Sequence, residues 1–395
     1  MIYLVVILLI LFLSFRYDIN GKTKYRDQWY LAILVFLILI AGLRWRIGTD
    51  TARYLHAYYV GCPTLASFKM EYFMMIGEDP GWMFLNAIVK SMGLPFFYVQ
   101  LVHASIINIL IFKFIKRHCE YIFTCVFFYF IFAYLGYNFE IMRGSLSIVL
   151  CLYANDFILE KKWIKGYILY FVALLFHGQT IVLLLIPLLF FMRLNFMGVV
   201  ILLSACVLGY IFQSIFSDYI YLIEFNESIQ DKAEGYLSND DGLGGVSGFG
   251  SVLKTLFGTF LFGLFSLWYA KKQDKYKNLS CMEPMMMLFL LFTLLKLGLR
   301  IAYRYEDYFK IYAIVYYSVL FVDLVKMHRK STVIVAYTRT FLIFSLLIVT
   351  MLLTYFNNKK MYVMYYPYSS VIERHVDKAR ESKFPRRPYA RYDEY

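Results

Sequence analysis

Residues 42–54 read GLRWRIGTDTARY. They follow an apolar run from Tyr30 to Ala41 and bring together Arg44, Arg46, a glycine, Asp50 and Tyr54. If the apolar run crosses a membrane, these polar groups stand at its exit. Charge at a hydrocarbon–water boundary is costly unless it is paired or used. The rest of the chain is read outward from this point.

The 395-residue chain is 61% hydrophobic and only 17% charged, with a mean hydropathy of +0.59. Such a chain is solvated mostly by lipid, so one polytopic, all-α integral membrane domain is expected. Aromatic residues make up 20%, which suits interfacial belts of Tyr and Trp. The net charge of +13 does not point to nucleic acid, because of where it lies. Eighteen of the 40 Lys and Arg fall in six short links between apolar runs: Arg16 to Arg26, Lys113 to Arg117, Lys161 to Lys165, Arg193, Lys271 to Lys277, and Lys326 to Lys330. Basic short links are the positive-inside signature, which sets topology. The six cysteines form no CxxC pair and the six histidines no HExxH, so no disulfide framework, metal site or cofactor is expected.

Met1 to Phe15 is apolar with its charges after it, so it reads as a retained helix with its N-terminus outside. A second helix returns to about Arg44. Residues 45–95 are too polar for a plain crossing and too aromatic for a free loop. Within them, PGWMFLNAIVKSM from Pro80 is amphipathic with proline at a helix start, and is expected to lie in the outer interface. Read as one crossing, Gly166 to Met192 would put later basic links outside. A short hairpin bending near His177 keeps all six links inside, and irregular backbone at that depth requires burial or a cavity. The total is about twelve transmembrane helices. Residues 1–356 form the membrane domain, with outer-face segments at about 45–95 and 217–250, and 357–395 form a basic hydrophilic tail.

Most basic residues outside the links and tail fall on the expected outer side, and arginine dominates them. Its planar fork matches phosphate oxygens. Snorkelling from helix ends accounts for Arg44 and Arg53. Arg46, Arg143 and Arg300 are harder to dismiss, because boundary charge is functional by default. Arg300 and Arg304 share a helix face and could straddle a pyrophosphate, although Arg304 could also pair with Asp307. Glu140 lies three residues before Arg143, either as a solvated partner or as a site group. His177, in ALLFHGQT, brings a titratable ring to the bend of the hairpin. Asp50 could be a base, a sugar-hydroxyl acceptor or a helix cap. Glu78 and Asp79, before Pro80, are open between helix start and site.

Several segments together resemble the EpsG family of Wzy-type polysaccharide polymerases: RIGTDTARY, EDPGW, FEIMRGSLSI, ALLFHGQTIVLLL, LRIAYRYEDYF and YYPYSSVIE. The resemblance implies a GT-C-like membrane glycosyltransferase of the bacterial inner membrane. It would join undecaprenyl-pyrophosphate-linked oligosaccharide repeat units, donor and acceptor, into a capsule, exopolysaccharide or O-antigen on the periplasmic or outer face. The lipid bilayer is a partner, a chain-length regulator is a further one, and nucleic acid is not. With no metal motif, fixed cations must stabilise the leaving pyrophosphate; Arg46, Arg143, Arg300 and Arg304 are the candidates, with Glu140 and Tyr54 beside them. His177, then Asp50, is the candidate base or hydroxyl orienter. A lipid-linked oligosaccharide flippase and an O-antigen ligase are the rival readings. A flippase is expected to show internal repeats, and none is visible.

The basic links predict that Lys161 to Lys165 and Lys271 to Lys277 face the cytoplasm and that residues 217–250 face outward. In a cysteine-free background, Ser238→Cys is expected to react with an impermeant maleimide added outside. Asn278→Cys is expected to stay unlabelled until the membrane is opened, and the reverse pattern would invert the site.

Overall fold

A computed structural model of the chain describes residues 2–48, 50–68, 79–219, 249–328, 364–375 and 378; the side chains of 212–219, 249, 300, 327 and 328 are outside that description. Glu78, most of the expected outer loop at 217–250 and the expected crossing at 333–355 lie outside the described residues. All described elements are helical apart from one isolated β-bridge. Among the described residues, six helices are long and apolar enough to cross a membrane: Ile2–Ile19, Phe97–His118, Met142–Leu159, Gly250–Lys272, Asp274–Gly298 and Tyr303–Lys326. These mark a multi-pass membrane protein. Shorter apolar helices, among them Trp163–Phe176 and Gly178–Leu189, lie between them.

The chain divides into two compact units, Met1–Leu184 with Val322–Tyr395, and Leu185–Phe321. In the first, small residues let backbones approach. A Cβ on Gly42, at the end of the Arg26–Gly42 helix, would stand 2.8 Å from the Leu101 backbone of the Phe97–His118 helix. Without a hydrophobic drive between helices in lipid, such close packing is what binds them. Buried polar pairs add specificity. The Asn108 side-chain amide donates to Asn138 Oδ1 at 2.8 Å, Tyr129 O–H donates to Asn108 Oδ1 at 3.0 Å, and Asn138 donates to the Tyr134 carbonyl at 2.9 Å. Each amide finds a partner, as buried polar groups must, and the network ties the Phe97–His118 helix to the stretch leading into Arg143.

The basic links of this unit meet at one end of the helices. Lys116 Nζ lies 2.8 Å from Asp27, Arg117 and Lys162 both reach Glu160, and Lys326 sits over the Tyr121 ring. The opposite ends carry Arg44, Arg46 and Arg143. In the second unit, Arg193 and Lys271 converge on Glu283, whose Oε1 also accepts the Leu194 N–H at 2.7 Å. The Phe196–Tyr219 and Glu283–Gly298 helices touch through glycine: a Cβ on Gly298 would lie 2.3 Å from the Tyr210 nitrogen.

The chain reverses at His177. Its backbone is extended (φ −156°, ψ 109°) between the Trp163–Phe176 helix and the 3-10 helix Gly178–Leu189. Tyr167 O–H reaches the Leu184 carbonyl at 3.5 Å, which a straight run of that length could not allow. The Pro80–Ser91 helix begins with its proline in the first turn, where a missing N–H costs nothing, and packs on the end of the Trp163–Phe176 helix. Gly81 makes this possible: a Cβ there would meet the Leu175 carbonyl oxygen at 2.9 Å.

Gly81→Ala therefore forces the Pro80–Ser91 helix away from the His177 reversal. A loss of about 1–3 kcal/mol is expected, as for other overpacked contacts. Thermal unfolding of the detergent-purified protein checks this, and an unchanged Tm would remove the contact as a constraint.

Candidate functional site

Asp79, Arg143 and His177 come from three separate stretches and meet in the first unit. Asp79 immediately precedes the Pro80–Ser91 helix, Arg143 sits in the first turn of the Met142–Leu159 helix, and His177 lies at the reversal. Arg143 Nη1 donates to Asp79 Oδ2 at 3.0 Å, and the Gly178 backbone N–H donates to Asp79 Oδ1 at 3.0 Å. His177 Nδ1 lies 3.8 Å from Asp79 Oδ2, and its Nε2 lies 3.2 Å from Gln179 Oε1. Burial pushes the Asp79 carboxyl up, but His177, the Arg143 guanidinium and the Gly178 N–H outweigh it and hold it below its ordinary value. The ring thus turns Nδ1 toward the Asp79 carboxylate and Nε2 toward Gln179.

Aromatic side chains form the wall behind this cluster. The Arg143 guanidinium carbon stands 5.9 Å from the Tyr54 ring centre, Tyr54 packs on Trp82 at 5.3 Å, and Trp82 meets His103 edge-on. Burial pushes the Tyr54 phenol up to about 12, with Arg143 partly offsetting it, so Tyr54 is a neutral hydrogen-bonding group. His103 Nε2 lies 2.9 Å from Ser145 Oγ and 3.0 Å from the Met142 carbonyl, supporting the turn that carries Arg143. Gly144 lies beside the imidazole, where a Cβ would make ordinary van der Waals contact with His177 Cδ2 at 3.8 Å.

A second cationic group lines a cavity of about 320 Å³. Its walls include Arg44, Trp45 and Arg46 from the turn after the Arg26–Gly42 helix, Tyr59, Phe96, and Arg374 from near the C-terminus. Segment 364–374 is fastened to that turn: Trp45 N–H donates to the Ser369 carbonyl at 2.8 Å and Val371 N–H to the Leu43 carbonyl at 2.8 Å. Gly48 (φ +107°) and Arg46 (φ +52°) are both left-handed. For arginine this costs about 1–2 kcal/mol. A Cβ on Gly48 would collide with the Phe139 carbonyl at 2.8 Å and crowd Glu140 Oε1 at 3.3 Å, so glycine is required there.

The sequence model of the EpsG family matches residues 27–370. The chain belongs to the EpsG family. Comparison with curated proteins and with solved structures returned no match.

In this EpsG family member the residues singled out from sequence fall into separate places. Arg143, His177 and Tyr54 are brought together. Arg46 lies at the cavity, and Glu140 is buried beside Gly48, close enough to act on the Arg44 charge. Asp50 precedes the Thr51–His56 helix at its capping position, but its side chain makes no capping hydrogen bond. Arg300 opens the turn Arg300–Ala302 and Arg304 stands over the Tyr303 ring, both in the second unit, and Asp307 pairs with Lys310. Sequence reasoning left Asp79 open, assigned Arg44 to snorkelling and counted Arg374 within the tail. The signal for Asp79 was its place directly before a proline-led helix, a position that fixes where a side chain points. Among the described residues, no group of three His, Cys, Asp or Glu side chains could hold a metal ion.

Asp79→Asn keeps the shape and removes the charge. The folded carboxyl is held below its ordinary value, so its contribution is complete above the unfolded value near 4 and fades as the pH falls through the folded one. The variant is expected to be about 1–3 kcal/mol less stable at neutral pH, and the difference should shrink as the pH falls below the ordinary carboxylate range. Tm measured against pH for both proteins checks this.

Proposed function

We propose that the protein is a membrane glycosyltransferase of surface polysaccharide synthesis. In this reading it joins undecaprenyl-pyrophosphate-linked repeat units on the outer face of the bacterial inner membrane. The observation that carries the reading is the meeting of Asp79, Arg143 and His177 at the helix ends opposite the basic links. The reaction needs a base for an acceptor hydroxyl and cations for a diphosphate leaving group.

The acceptor oxygen attacks the anomeric carbon of the donor's first sugar, and the bond from that carbon to the lipid diphosphate breaks. The electron pair leaves with the diphosphate. The hydroxyl proton passes to His177 Nε2, while Asp79 holds the ring and balances the imidazolium that forms, the general logic of a base with an orienting carboxylate. Arg143 and Arg46 stabilise the departing charge, and Arg300 and Arg304 are assigned the same role on their sequence pattern. Asp50 is the alternative base. Tyr54 and Glu140 orient the arginines or the sugar. The chain crosses the membrane about twelve times in this reading, as the basic links require. Residues 1–356 act as one GT-C-like domain. A chain-length regulator is the expected protein partner.

His177→Ala is expected to lower turnover by about 10²–10⁴-fold, with donor affinity nearly unchanged, because a base acts in the transition state. Arg143→Lys keeps the charge, loses the fork and is expected to remain badly impaired. Polymer formation, donor binding and the yield of folded protein are measured together on reconstituted protein. Wild-type turnover per folded molecule from His177→Ala would remove it as base. A strain lacking the gene that traps single repeat units inside, instead of accumulating them outside, would favour a flippase.

A further inference from the structure

The cavity beside Arg46 differs in kind from the Asp79 cluster. Three guanidinium groups line it, and among the described residues no carboxylate does. One indole fixes two of the forks: the guanidinium carbons of Arg46 and Arg374 lie 5.5 and 5.2 Å from the Trp45 ring centre. Like charges gathered at a partly dry site repel, and an anion placed between them relieves that repulsion. The strained φ of Arg46 fits the same account, since left-handed non-glycine residues persist where function holds them.

Gln100 gives the second, independent observation. It is 2% exposed and lines the cavity. A buried amide needs hydrogen-bonding partners, and on the cavity side a ligand can supply them. An amide that both donates and accepts, facing a cavity with aromatic walls at Tyr59 and Phe96, suits the hydroxyls and flat face of a sugar ring.

We propose that this cavity holds the diphosphate-linked first sugar of the lipid-linked substrate, with Arg46 and Arg374 clamping the diphosphate and Gln100 reading the sugar. Arg374 thereby becomes a binding residue delivered by the C-terminal segment. The inference rests on the lipid-diphosphate substrate of the proposed function and adds where, and by which residues, that group is held. The same chemistry would admit free pyrophosphate, so both sources enter the test.

The full chain, purified in nanodiscs, is titrated with undecaprenyl diphosphate, undecaprenyl monophosphate, inorganic pyrophosphate and a lipid-linked repeat unit. Arg374→Ala is expected to weaken undecaprenyl diphosphate binding about tenfold or more, and Arg374→Lys by less, since it keeps the charge without the fork. Tighter binding of undecaprenyl diphosphate than of inorganic pyrophosphate identifies the lipid-borne group, and equal binding identifies the diphosphate alone. Both support an anion site. Gln100→Met carries a distinctive signature: binding of the repeat unit weakens while binding of undecaprenyl diphosphate does not. If Arg374→Ala is not recovered folded, Arg374→Lys and Gln100→Met decide. Binding within twofold of wild type in folded Arg374→Ala, or monophosphate bound as tightly as diphosphate, would overturn the clamp, as would unchanged repeat-unit binding in Gln100→Met for the sugar contact. Arg374-dependent binding without polymer formation would keep the cavity and remove the polymerase. Polymer formation with Arg374-independent binding would do the opposite.

Discussion

Moving a guanidinium out of bulk water is costly unless an anion accompanies it, and Arg143, at the mouth of an otherwise apolar helix, has Asp79 for that purpose. Asp79 in turn cannot stay buried and ionised on one partner, and it takes a second in the Gly178 N–H and a third in His177. The requirement spreads outward. The Gly178 N–H points at Asp79 only because the chain reverses at His177, and the reversal lies against the Pro80–Ser91 helix only because Gly81 admits the Leu175 carbonyl. A single carboxylate thus fixes the relative placement of three stretches that are far apart in sequence.

The Asp79 cluster and the cavity divide the chemistry by charge. The Asp79 cluster mixes signs, so its protons have somewhere to go and its net field is small. The cavity gathers one sign, so it attracts anions and offers no base. They are linked through one short helix: Leu55 lines the cavity, while the adjacent Tyr54 packs beneath Arg143. A glycosyl transfer needs both kinds of environment, one for the hydroxyl that arrives and one for the diphosphate that departs.

The membrane-spanning character of the chain was legible because it depends on local composition. So was the Pro80–Ser91 helix, which announces itself by its proline and its amphipathic pattern, and the reversal at His177, which the distribution of basic links required. The partnerships were not legible. Asp79 meets Arg143 64 residues later, and nothing in EDPGW distinguishes a carboxylate that caps from one that pairs. Arg44 sits at a helix end, where snorkelling is the usual outcome, yet it is buried, with its guanidinium over the Phe139 ring. Arg374 lies among tail residues whose composition says solvent. Only the pairing of 369–371 with Leu43 and Trp45 brings it inward.

That pairing also imposes an order on how the protein is made. Tyr368 O–H closes on the Ile40 carbonyl across 328 residues of sequence. The turn bearing Arg46 is synthesised well before the segment that seals it. The cavity is therefore closed by a segment made long after its first wall, and a nascent chain that stops short of that segment carries an open turn. Until that segment reaches the turn, the Arg374 wall of the cavity is missing.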